Sequence, residues 1–182
     1  MKALTIQQPW ATLIALGEKR FETRSRKTNI RGRIAIHAGK KIDKEACERE
    51  PIKSTLAKHG YTANNLPTGA VVATAYLYDS YPITHVSHNA ADSIDSEGTI
   101  LEMFEENEFH FGWYEIGRHA WDLRDAHEIE PIQAKGQQGW WNFELYELDS
   151  ASGHLFCKGC GNNYLLHEHK EECPFFSVGG VK

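Results

Sequence analysis

Short runs of alternating apolar and polar residues dominate this chain, and only brief segments carry helical three-to-four-residue spacing. The first run, KALTI at 2–6, reads as a strand. Pro9 then suits a first helical position, where its missing N–H costs nothing, and Trp10, Leu13 and Ile14 form an apolar stripe that packs on a core. Gly17 stands where a left-handed helix cap belongs. A strand follows at FETR, 21–24, with Phe21 and Thr23 on one face and Glu22 and Arg24 on the other. RGRIAIHAG, 31–39, alternates into another strand, within which His37 reads as a satisfied structural histidine. Residues 43–60 begin at Asp43, a good N-cap, and read as a helix broken at Pro51. GAVVATAYLYDSY, 69–81, is the longest β-type run.

Between 83 and 107 the pattern weakens into acidic segments that predict helix and loop, and 108–116, 119–130 and 140–148 read as three more strands. About six strands with helices between them predict an α+β domain built on a small, mostly antiparallel barrel. DSASG at 149–153 reads as a linker between a domain over 1–148 and a tail over 154–182. No apolar run approaches the roughly 18 residues of a membrane-spanning helix, and MKALTIQQPW lacks the features of a signal peptide. The expectation is a soluble, cytoplasmic protein with no membrane partner.

Charge sharpens the picture. The formal net charge is −5, but residues 1–60 hold 14 Lys and Arg against 6 Asp and Glu, and residues 61–182 hold 6 against 19. A basic first third can hold a phosphate-rich partner even in an acidic protein; equally, the two parts can neutralise each other across the folded surface. The acidic remainder argues against a long duplex footprint, which needs many cationic contacts. A single-stranded or flipped-out nucleotide fits a short basic cleft better.

The stretch GEKRFETR, 17–24, concentrates the chemistry. Lys19 is a compact cation for a phosphate, and Arg24 carries a planar fork for a phosphate or base edge. Glu22 can hold Arg24, accept from an exocyclic amine or act as a base. The plainer alternative is a salt bridge that only fixes the helix-to-strand turn. Together with QPWA before it, RG before IHA, GRHAWDL at 117–123 and KGQQGWWNF at 135–143, the G-x-K-x-x-E-x-R pattern resembles the ASCH domain, the activating-signal-cointegrator homology family, over about residues 1–148. The resemblance implies a PUA-like barrel with flanking helices and RNA, single-stranded nucleic acid or a nucleotide as partner. It also implies a cleft formed by Lys19, Glu22 and Arg24 with Gln8, Lys135 and Trp141, and it makes Trp10, Trp140 and Trp141 candidate stacking walls. Trp10, on its apolar stripe, is the one expected mostly in the core.

Some small members of that family remove an acyl group from N4 of cytidine, using the motif lysine with a threonine three residues later. Here Lys19 matches, but Glu22 occupies the threonine position and Thr23 points to the other face. Amide hydrolysis with Lys19 and Glu22 as the catalytic pair is therefore the alternative, and binding without turnover the expectation.

Three of the four cysteines lie within 157–173, a spacing that suggests metal rather than disulfides in an intracellular chain. Cys157 and Cys160 form a C-x-x-C knuckle. On a short helix starting near Leu165, His169 and Cys173 stand at i and i+4 on one face while His167 points away. Cys157, Cys160, His169 and Cys173 are thus the expected ligands of one structural zinc in a CCHC finger, a closed set with no open position. Such a finger can also contact a protein partner, which makes an interaction adaptor a third function class. Cys47 reads as an unrelated thiol.

Overall fold

Pro9 and Gly17 bracket the first helix, as their backbone chemistry suggests. The Leu13 amide donates to the Pro9 carbonyl, and Gly17 adopts φ +73°, a conformation in which a side chain would be strained. The amides of Glu18 and Lys19 both return to the Leu13 carbonyl, which turns the chain sharply into the next strand.

The computed structural model describes residues 1–104, 106–144, 146–148, 150, 155–158 and 173. Its elements are β1 (Lys2–Gln8), α1 (Trp10–Ala15), β2 (Phe21–Arg24), β3 (Gly32–Ile42), α2 (Lys44–Glu48), α3 (Ile52–Lys58) and β4 (Ala70–Pro82). They continue as β5 (His85–Val86), β6 (Ala91–Ile94), β7 (Ile100–Phe104), α4 (Glu106–His110), β8 (His119–Gln133), β9 (Trp140–Asn142), β10 (Tyr146–Leu148) and β11 (Leu155–Cys157). Asp43 caps α2 by accepting from the Ala46 amide at 2.9 Å, and Pro51 separates α2 from α3.

The main sheet has six strands in the order β2-β8-β4-β3-β1-β9, antiparallel except for β1 beside β3. The barrel expected from the sequence is not closed by backbone: no ladder joins the two edges among the described residues. Side chains bridge the gap instead. β8 and β9 stand four strands apart, about 19 Å in a flat sheet, yet the rings of Trp121 and Trp140 stack with centroids 5.4 Å apart. β2 and β1 are equally far apart in order, yet the Arg24 guanidinium donates to the Thr5 carbonyl at 3.2 Å. The sheet therefore curls around a core of Leu4, Ile6, Ile34, Ile36, Leu77 and Leu123, with Ala11 and Ile14 of α1 packed into it. The edge strands β2 and β9, with four and three residues, are too short to extend a ladder across the seam.

The pattern between 83 and 116 misleads. The predicted helix-and-loop region holds the small sheet β5-β6-β7, and the predicted strand at 108–116 is α4 followed by a turn. In β6 the buried positions are only Ala91 and Ser93, so the period-2 signal is faint. The alternation in EFHFGWY has a tertiary cause. Phe111 enters the cluster of Leu13, Ile52 and Leu56, whereas Phe109 packs beside Phe104 and Tyr114.

Between those phenylalanines and β2 lies a polar hub. The Glu108 carboxylate accepts from the Arg20 amide at 2.7 Å, the Phe21 amide at 3.1 Å and the Tyr114 hydroxyl at 3.2 Å. Lys19 Nζ lies 3.6 Å from it and donates to the Phe21 carbonyl. Only 1% of the Lys19 side chain is exposed. Burial and the adjacent Glu108 carboxylate push the Tyr114 hydroxyl far above its ordinary pKa, so it remains a donor. Removing one member of a buried ion pair costs about 3–5 kcal/mol. Lys19→Met is accordingly expected to lower the melting temperature by roughly 10 °C. A calorimetric melt within about 2 °C of the parent would contradict this role.

Candidate nucleic-acid interface

Strand β2 sets the site. Its burial alternates as the sequence predicts, with Phe21 and Thr23 buried and Glu22 and Arg24 partly open. Glu22 Oε1 holds Arg24 Nε at 3.0 Å, and the guanidinium lies 5.8 Å from the centre of the Trp121 ring. These contacts fix Arg24 at the rim of a cleft of about 1140 Å³ between β2, the ends of β1 and β3, and the loop after β8.

The charge of the cleft is lopsided. Arg24, Lys40, Lys41, Arg49, Arg118 and Lys135 line it, and the one acidic residue among the described lining is Glu22, already paired with Arg24. The floor is the buried imidazole of His37, whose Nε2–H donates to the Ala134 carbonyl at 3.1 Å. Burial holds this histidine below its ordinary pKa, so the ring is neutral near pH 7. The Lys135–Gly139 loop lies directly over it.

Of the residues expected in the cleft, Glu22, Arg24 and Lys135 line it, and three others do not. Lys19 is sealed under the Glu108 hub, so it presents neither an anchor nor a base to a cleft ligand. Gln8 is buried, its amide donating to Thr12 Oγ1 and the Pro67 carbonyl at 2.7 Å each and accepting from the Thr12 amide at 3.0 Å. Trp141 is buried behind the floor, with its indole N–H on Thr5 Oγ1 at 3.1 Å and its ring edge-on to His37. Trp140 lies flat on Trp121 in the seam, whereas Trp10, expected in the core, is half-buried and reaches the lining.

The residues that sequence reasoning passed over are Lys40, Lys41, Arg49, Trp113 and Arg118. Arg118 sits inside the GRHAWDL motif, and Lys40 and Lys41 directly follow a strand-end glycine. Trp113 was hidden by the apparent strand at 108–116.

The ASCH-domain family model matches residues 4–133. The chain belongs to the ASCH-domain family. Its motif glutamate and arginine thus face the cleft while the motif lysine supports it from behind. The family is of the PUA-like type and is associated with nucleic-acid binding. Among solved structures, the ASCH protein of Zymomonas mobilis is similar at 16% identity, over 79% of this chain and 87% of that one, with a TM-score of 0.41. A single-residue variant of that protein gives 18%, 79%, 89% and 0.40. No curated protein matches this chain.

At the far edge of the ASCH domain, β10 pairs with β11, and Cys157 and Cys173 are buried with Ala3, Val71, Trp141 and Phe143. Their sulfurs lie 3.7 Å apart. Cys160 and His169, the other two expected ligands, lie outside the described residues. Among the described residues no three metal-ligating side chains converge, and no helix is long and apolar enough to cross a membrane.

Gly136 explains how the loop reaches the floor. A Cβ there would stand 2.3 Å from His37 Cε1, 2.6 Å from Nδ1 and 2.9 Å from Thr5 Oγ1. Gly136→Ala is expected to cost about 1–3 kcal/mol of stability, as overpacking does, and to lift Lys135 from the cleft. Urea denaturation showing no loss would refute this close approach.

Proposed function

We propose that the cleft is the RNA-binding site of this ASCH domain and that it takes a single-stranded segment or a flipped-out nucleotide. The observation that carries this reading is the concentration of six cationic side chains around one paired carboxylate, in a chain whose net charge is −5. Such a cleft draws in phosphates and releases their counterions. Its 1140 Å³ exceeds the roughly 300–1,000 Å³ of small-molecule sites, which leaves room for more than one nucleotide. Arg24, held by Glu22 and Thr5, offers its guanidinium edge without a large ordering cost. The ribose 2′-hydroxyl is what separates RNA from DNA in such a site.

Fluorescence anisotropy with a labelled 12-nucleotide RNA tests the proposal. Arg24→Ala and Lys135→Ala should each weaken binding and flatten the slope of log affinity against log salt by about 0.7 per lost contact. Lys135→Ala should do so with little change in melting temperature, whereas Arg24→Ala also removes the bond to Thr5 across the seam. Affinity and slope unchanged in both variants would remove the cleft from RNA binding. A DNA strand of the same sequence measures the contribution of the 2′-hydroxyl.

We further infer that Cys157, Cys160, His169 and Cys173 hold one structural zinc. Two thiolates bound at about 2.3 Å in a tetrahedral site stand about 3.8 Å apart, and the 3.7 Å between Cys157 and Cys173 is consistent with that edge. The two cysteines pack against Trp141, which is bonded to Thr5 on the cleft lining, so the metal would brace the edge of the sheet. Purified protein should carry about one zinc per chain, and chelation should lower the melting temperature of the whole domain. A metal-free protein by elemental analysis, or full zinc in Cys173→Ala, would refute the assignment.

A further inference from the structure

Resting on the proposal that the cleft binds RNA, we propose that Trp113 is a preorganised stacking platform for one unpaired base, held in place by Arg118. Trp113 lines the cleft with 65% of its surface exposed. Its position on the cleft wall is what distinguishes it from the other exposed apolar side chains, because a base held in the cleft would cover that open aromatic area. It is also held in three ways. Its amide donates to Thr23 Oγ1 at 3.0 Å, its carbonyl accepts from Arg118 Nε at 3.0 Å, and the Arg118 guanidinium lies 4.3 Å from the ring centre. Arg118 in turn donates to the Thr23 carbonyl at 3.2 Å.

Every one of these anchors leads to Thr23, between Glu22 and Arg24. The platform is therefore referenced to the same strand that places the cation at the rim, and a phosphate and its base can be held by one rigid element. Gly112 serves this arrangement: a Cβ there would stand 2.5 Å from the Tyr114 ring and 3.2 Å from the Thr23 methyl, so the turn packs tightly on β2. Arg118 occupies one face of the indole, and the exposed area leaves the other face for a ligand. A base inside a duplex has both faces covered by its neighbours, so this surface selects an unpaired base, whatever its identity.

The test compares three probes of matched length on the full chain by anisotropy: single-stranded RNA, an abasic phosphodiester strand of the same charge, and the RNA annealed to its complement, which carries about twice that charge. The parent protein should prefer the base-bearing single strand. Trp113→Ala should weaken that complex by about 5–150-fold and leave the abasic complex unchanged. Trp113→Phe should restore most of the loss, and circular dichroism melts should match the parent. Undiminished binding of the single strand by Trp113→Ala, or an equal loss on the abasic strand, overturns the stacking role while the cleft reading stands. A parent protein that binds none of the three probes overturns both.

Discussion

The carboxylate of Glu108 is the interaction on which the site depends. It meets two backbone amides, a tyrosine hydroxyl and an ammonium at the point where the chain enters β2. A strand of four residues at a sheet edge has few ladder bonds of its own, and this group supplies the bonds its first amides would lack. It also joins α4, and with it the turn bearing Trp113, to the start of the motif. Burying an ammonium is costly unless it is paired and hydrogen-bonded. Lys19 meets that condition through Glu108 and the Phe21 carbonyl.

The uneven charge along the chain is used in two ways, so its two explanations are not rivals. Part of the basic first third is neutralised by the acidic remainder. Arg20 bonds the buried Asp122 at 2.7 and 2.8 Å and contacts Glu102 at 3.2 Å, and Arg31 pairs with Asp79. Nearby carboxylates hold the Arg20 pKa above its ordinary value. Another part, Arg24, Lys40, Lys41 and Arg49, is gathered at the cleft, where Arg118 and Lys135 join it. Curling of the sheet makes this gathering possible, because it brings β2 to the end of β1 and β3 although several strands lie between them.

Closure by side chains also leaves an opening that a complete ladder would fill. The seam is held by the Trp121–Trp140 stack on one side and the Arg24–Thr5 bond on the other. The cleft lies beside it, floored by His37 and capped by a loop that only glycine at 136 allows so close.

By itself the sequence determined what depends on neighbours along the chain. The α1 stripe, the Gly17 turn, the Asp43 cap, the long strands and the alternation of Glu22 and Arg24 against Phe21 and Thr23 all follow from local periodicity and backbone chemistry. The motif with its flanking matches was enough to indicate the family and, with it, the region of the site. Tertiary structure decided the rest. Lys19 turns inward because its partner, Glu108, comes from a distant segment whose alternation imitates a strand. Trp141 and Gln8 belong to the packing behind the floor, while Trp113 faces the cleft because its turn is fastened to Thr23. Local pattern records which face of an element a side chain takes, but what stands opposite that face is set by contacts between segments far apart in the chain.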